Sequence, residues 1–187
     1  MEKKEFEKTS LINQIVNEDR ERYMVYKTNK NNGNIIPQEE RFYLLELLDD
    51  MGFDINRPGT YLFRELVKDI HSDVVSCSPS LGDYKSAIIF KDLNSEKSFV
   101  YTVLADRLGI NTEGLTEYLY DAVENISEEC SDKDLRSFIL GYEFRNKKPS
   151  VLAYDVAKYF EKTSKMETKP QVKHGLVKEI KKKSESI

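Results

Sequence analysis

Catalysis needs groups that can take a proton, attack a carbon or hold a metal, and this chain offers few of them in useful company. Its only imidazoles are His71, on a helical pattern, and His174, in a polar tail, and neither has neighbours of site-forming type. Cys77 and Cys130 are too few and too widely separated for a disulfide framework or a zinc site. The carboxylate pairs Glu39-Glu40, Asp49-Asp50 and Glu128-Glu129 are adjacent in helical segments. Adjacent residues diverge by about 100° around a helix, so such a pair cannot converge on one substrate as an acid and base must. The sequence contains no Gly-rich phosphate loop, no His-x-x-x-His pair and no nucleophile motif. The expectation is a protein without catalytic residues, metal or cofactor. A small enzyme or ligand-binding domain using the loop Ser78–Asp83, "SPSLGD", as a lid is a distant reading. No convergent polar pocket accompanies that loop, and no small-molecule substrate is expected.

The pattern that does stand out is Leu104–Ile126, "LADRLGINTEGLTEYLYDAVENI". Two short helical patterns flank a tight turn at Gly109-Ile110-Asn111-Thr112, the spacing of a helix-turn-helix that lays its second helix in the major groove of DNA. The second helix nevertheless carries Glu113, Glu117, Asp121 and Glu124, and no Lys, Arg or His occurs from Leu108 to Asp132.

The elements that must position this stretch are helical. With 187 residues, 39% hydrophobic residues, eight Gly and five Pro, the chain suits one all-α domain with extensions. Leu11–Tyr26 is a partly amphipathic helix, and "NKNNGN" at Asn29–Asn34 is a loop. Pro37 opens a strong helix over Gln38–Met51, which Gly52 stops. Thr60 is a good N-cap for a helix over Tyr61–His71, whose Leu62, Phe63, Leu66, Val67 and Ile70 share a buried face. Ser95 caps a helix ending at Leu108, and Asn111 or Thr112 caps Glu113–Ile126. Ser131-Asp132 cap Lys133–Leu140, and Ser150 starts Val151–Lys162. Between them, residues 74–94 read as an inserted loop with a small hairpin at the β-like run Ala87–Phe90. The expected organisation is therefore an N-terminal helical extension (1–40), a compact multi-helix domain (41–163) and a basic, mobile tail (164–187).

Runs such as "AIIF" fall far below the ~20 apolar residues of a membrane span. The N-terminus "MEKKEFEKTS" lacks the apolar core of a signal peptide, so a cytoplasmic location and no membrane partner are expected. The net charge of −4 divides into +4 for residues 164–187 and −8 for the rest. An acidic body disfavours non-specific binding to nucleic acid, whose affinity comes largely from Lys and Arg on phosphates.

Three segments, in order, resemble the C-terminal effector domain of the stage-zero sporulation response regulator of Firmicutes. "LLDDMGFDINRPGTYLFRELV" (Leu47–Val67) is similar to that domain's opening, with Gly52, Gly59, Arg64 and Glu65 in register. "VYTVLADRLGINTEGLTEYLYDAV" (Val100–Val123) is similar to its helix-turn-helix, and "LGYEFRNKKPSVLAYDVAKYFEK" (Leu140–Lys162) to its ending. The resemblance covers about Arg41–Lys162 and implies a compact all-α domain of about six helices without enzymatic activity. The family uses that domain to bind promoter DNA and touch RNA polymerase. The resemblance does not extend to the phosphoacceptor receiver domain, so aspartyl-phosphate control is not expected. Laid on Leu115–Val123, the family's recognition helix has Arg, Arg and His where this chain has Glu117, Tyr120 and Asp121.

Each good Arg–guanine pair is worth ~1–3 kcal/mol of discrimination. Carboxylates at those places lose it and add repulsion from phosphates. The expected function is therefore that of a regulatory protein acting by protein–protein contact, through Glu117, Tyr118, Tyr120, Asp121 and Glu124. A basic transcription regulator is one candidate partner. The alternative is a DNA-binding regulator that reaches phosphates through Arg107, Arg136, Arg145, Lys147, Lys148 and the lysine-rich tail.

Overall fold

The computed structural model of the chain describes residues 2–75, 89 and 91–167. It is all-helical, with no strand among the described residues. Seven α-helices are described: α1 (Glu2–Asn31), α2 (Tyr43–Asp50), α3 (Pro58–Ile70), α4 (Phe99–Leu108), α5 (Thr112–Glu124), α6 (Lys133–Leu140) and α7 (Pro149–Glu167). A π-helical turn, His71–Val75, prolongs α3.

α3 is the hub of the fold and touches α1, α2, α4, α5 and α7. Its wide apolar face, Tyr61, Leu62, Phe63, Leu66, Val67 and Ile70, is buried, while Arg64, Glu65, Lys68 and Asp69 form a polar stripe. Leu45 and Leu48 of α2, Leu104 of α4, Leu115 and Leu119 of α5, Leu140 of α6, and Leu152 and Val156 of α7 join it in one core. α1 adds Ile12, Val16, Tyr23 and Tyr26 to the same core, and a polar ladder seats it on α2. The Tyr23 hydroxyl donates to Asp49 at 2.8 Å and the Tyr26 hydroxyl to Glu46 at 2.8 Å, while Lys27 reaches Asp49 at 2.6 Å.

The packing of α3 on α5 is set by Gly59. A Cβ built there would lie 2.1 Å from the Tyr118 carbonyl oxygen and 3.0 Å from the Ala122 Cβ. Only glycine permits this backbone approach. Gly52, with φ +97°, plays a related part at the end of α2, where a side chain would meet the Ser127 carbonyl at 2.8 Å. The Ser127 amide donates to the Gly52 carbonyl at 2.8 Å, tying the end of α2 to the loop after α5.

Several local expectations are corrected. The helix expected over Gln38–Met51 is broken: a 3-10 turn at Gln38–Glu40 is followed by extended backbone at Arg41 and a non-helical Phe42 before α2 begins. The break places the Phe42 ring edge-on against Tyr23 at 5.9 Å and Tyr26 at 5.5 Å, a tertiary contact that outweighs helical continuity. Thr60 is not an N-cap. α3 starts earlier, with Pro58 in its first turn, and the Thr60 hydroxyl donates to the Asp54 carbonyl at 2.7 Å. α4 starts after Ser98 rather than Ser95, because Asp92 accepts from the Ser98 hydroxyl and the Phe99 amide at the helix entrance. α7 opens at Pro149, one residue before the expected Ser150.

Asn111 and Asp132 do cap α5 and α6, accepting from the Gly114 amide at 2.6 Å and the Leu135 amide at 2.8 Å. α4 and α5 are joined through residues 109–111 and pack on each other. The loop Ser78–Asp83 and most of the β-like run Ala87–Phe90 lie outside the described residues. Ile89 is helical, as are residues 91–93. Of the tail expected from 164, α7 takes residues up to Glu167, and residues 168–187 lie outside the described residues.

Gly59→Ala is expected to force α3 and α5 apart and to destabilise the fold by about 3 kcal/mol or more, beyond the usual range for an added methyl because backbone blocks it. A urea midpoint close to that of the unaltered chain would show that the two helices separate at no cost.

Candidate functional site

The Asn111 cap and the buried Leu115, Leu119, Ala122 and Val123 fix the orientation of α5, so its opposite side faces outward. Glu113, Glu117 and Glu124 stand exposed on that side. None of the three has an ion-pair partner among the described residues. The other expected contact residues are less free. Tyr118 packs half-buried against the core on the flank facing α3. The Asp121 carboxylate accepts from one Arg57 nitrogen, just ahead of α3, at 2.9 and 3.0 Å, and from the Asn125 side-chain amide at 3.0 Å. Tyr120 is half-buried and lies beside Lys148. The exposed surface of α5 is thus a row of glutamates flanked by one half-covered tyrosine.

The five cations expected to reach phosphates are all engaged inside the fold. Arg107 donates to Glu65 at 3.1 Å and pairs with Asp69 at 3.0 Å, bracing α4 on α3. Arg136 is buried; it donates to the Ser127 carbonyl, approaches Glu128 at 3.4 Å and lies 5.4 Å from the centre of the Phe144 ring. Arg145 covers the same ring at 4.7 Å while donating to Glu128 at 2.5 Å and to the Ile126 carbonyl at 2.7 Å. Lys147 donates to the Leu140 carbonyl at 2.8 Å and approaches Asp155 at 3.4 Å. Lys148 reaches Glu96 at 3.0 Å. The "RNKK" cluster, Arg145–Lys148, is therefore a clip: Arg145, with Arg136 of α6, holds the turn after α5, and its lysines tie down α6, α7 and the entrance to α4.

These pairings move the titration of the groups involved. At Lys148, the Glu96 hydrogen bond outweighs desolvation and, with Tyr120, holds the ammonium above its ordinary value. At Glu65, burial pushes the carboxyl up, but Arg64, Lys68 and Arg107 together outweigh it and hold the group below the usual range. At Asp69, burial wins over Arg107 and the carboxyl is raised.

Chain comparison adds no relative. No family model, curated protein or solved structure matches this sequence.

Two groupings were not visible in sequence. His71, expected to stand alone, lies with Nε2 2.6 Å from a Glu161 carboxylate oxygen and its ring edge-on to Phe160 at 5.2 Å. Arg64 joins Asp19 of α1 to Glu65 of its own helix. The partners in the first pair are ninety positions apart, so no local spacing announces them. The described residues contain no group of three or more His, Cys, Asp or Glu placed to hold a metal ion. They also contain no helix long and apolar enough to cross a membrane.

Arg136→Met, which leaves the Ser127 carbonyl unpaired, is expected to cost about 1–3 kcal/mol in urea denaturation. Arg145→Ala, which unpairs the Ile126 carbonyl and removes the exposed Glu128 pair, is expected to cost a similar amount, about 1–3 kcal/mol, the loss of one part-buried hydrogen bond. A urea midpoint unchanged by both substitutions would overturn the clip. Because the folded-state pKa of Glu65 lies below its reference value of 4.5, its contribution is fully present above that pH. It is lost as pH falls through the lower folded value. Glu65→Gln should therefore flatten the acid limb of a stability–pH curve, and an unchanged limb would contradict the assigned direction.

Proposed function

We propose that the chain is a non-enzymatic regulatory protein that works by binding a protein partner through the outward face of α5. The observation that carries this reading is the division of charge. Glu113, Glu117 and Glu124 face outward without a cation among the described residues, whereas Arg107, Arg136, Arg145, Lys147 and Lys148 are bonded within the fold. A helix of this kind placed in a DNA groove would set carboxylates against phosphates. The nearby cations that could compensate would first have to give up their existing partners. The same face suits a basic surface, where complementary charge speeds encounter and excludes wrong partners.

The resemblance to the sporulation effector domain suggests the class of partner: a basic transcription regulator whose DNA-facing or pairing surface meets the acidic helix. In that reading the chain keeps the apolar frame of a DNA-reading element, Leu115, Leu119, Ala122 and Val123, and presents the opposite charge on its outside.

Titration against mixed-sequence and promoter duplexes at low and moderate salt tests the reading. The unaltered chain is expected to bind duplex no tighter than about 10 μM, well within the non-specific range. Glu113→Lys with Glu117→Lys and Glu124→Lys should strengthen that binding, and Arg145→Glu with Lys148→Glu should leave it unchanged. Low-micromolar or tighter duplex binding that the Arg145/Lys148 double variant abolishes would instead establish the DNA-binding alternative.

A further inference from the structure

A cleft of about 560 Å³ opens where α1, the start of α2, α3 and α7 meet, remote from the outward face of α5. That volume lies within the range of small-ligand sites, roughly 300–1,000 Å³. Its floor is apolar and partly aromatic: Phe42, Leu44, Leu45 and Phe160. Its walls carry Arg41, Arg64, Lys68 and His71 against one lining carboxylate, Asp19. In a chain whose first 163 residues sum to −8, the three cations Arg41, Arg64 and Lys68 around one apolar floor are a local inversion of the general charge.

The surrounding acids do not fully answer these cations. Glu65 alone accepts from Lys68, Arg64 and Arg107. Arg64 takes Asp19 as its second partner, and His71 takes Glu161. The Arg41 side chain makes one hydrogen bond, to the Ile36 carbonyl at 3.3 Å, and has no carboxylate partner among the described residues. Its guanidinium therefore retains donors for a ligand. The Lys68 side chain is 56% exposed and shares the one carboxylate it meets among the described residues, so it can turn toward an anion at little cost.

We propose that this cleft binds a small organic anion, a carboxylate or phosphate monoester carried on an apolar body. Arg41 and Lys68 take the charged end, and Phe42, Leu45 and Phe160 receive the apolar body. Arg64, held at 14% side-chain exposure between Asp19 and Glu65, is a fixed positive charge behind the site. A bare inorganic anion would leave the floor wet and unused, and a neutral apolar molecule would leave the Arg41 donors unmatched. The site is independent of the proposed partner face, because no residue of α5 lines it.

The probes are phenyl phosphate and decanoate, with inorganic phosphate and phenol as controls, added to the full chain. His71 lines the cleft and is one of two histidines, so its imidazole NMR signals, assigned with His174→Gln, report occupancy directly. One or both organic anions should shift the His71 signals saturably, and which of them does so separates the phosphate from the carboxylate source. Arg41→Ala with Lys68→Ala should weaken that binding about tenfold or more without moving Tm. If the double variant is misfolded, Arg41→Gln alone, at an exposed position, should still weaken it. Glu117→Lys with Glu124→Lys should leave it unchanged, so failure here and failure of the partner reading are distinguishable. The proposal is overturned if neither organic anion gives a saturable shift or if binding survives the Arg41 and Lys68 substitutions. It is equally overturned if inorganic phosphate or phenol binds as tightly as the organic anions.

Discussion

The close approach of α3 and α5 at Gly59 is the constraint on which the rest of the structure depends. With no side chain at that position, the Tyr118 carbonyl can sit where a Cβ would otherwise stand. Both helices then share one core, and α2, α4 and α7 arrange themselves around α3. The approach also determines which part of α5 is available to the outside. The start of α3 is drawn so near that Arg57 reaches Asp121, and Tyr118 is turned into the packed flank. Of the acids on α5, only those farther around the helix escape. The same backbone contact that builds the core therefore selects Glu113, Glu117 and Glu124 as the exposed set.

The helices were legible in sequence where apolar residues are dense and caps are chemically distinct. The apolar run of α3 and the Asn111 and Asp132 caps depend on neighbours a few positions away, which is the range that periodicity and capping rules cover. What escaped was decided at long range. The Gln38–Met51 pattern is helical by every local measure, yet Phe42 leaves the helix to meet Tyr23 and Tyr26 of α1. Serines that look like caps lose to a side chain better placed in space, as Asp92 does at the entrance to α4. Gly59 and Gly52 could be marked in sequence, but the carbonyls that demand them, from Tyr118 and Ser127, could not.

The candidate site was legible as a list of charges and illegible as an electrostatic arrangement. "RNKK" is the densest basic cluster of the body, and on composition alone it resembles a phosphate-contacting patch. Its partners Ile126, Glu128, Leu140, Asp155 and Glu96 lie seven to fifty-two positions away, and together they turn it into a structural clip. The opposite occurred around Arg41, Arg64, Lys68 and His71. These residues are scattered over thirty positions of sequence and suggest no cluster, yet the fold gathers them on one cleft. A count of basic residues cannot separate cations consumed by the fold from cations left to act, because that depends on where each carboxylate lands.

The exposed glutamates of α5 do little for the helix that carries them. Glu113, in the first turn, complements the positive end of the helix dipole. Glu124, in the last turn, opposes the negative end, and no basic residue is present there to offset it. Glu113 and Glu117, and Glu117 and Asp121, are like-charge neighbours four residues apart, each pair costing about 0.2–0.5 kcal/mol. Asp121 recovers part of this through Arg57, whereas Glu117 and Glu124 recover none from the described residues. The helix is held by its buried leucines and its Asn111 cap in spite of its outer face. A row of charges that weakens its own helix and is answered by no cation among the described residues is not explained by the stability of that helix.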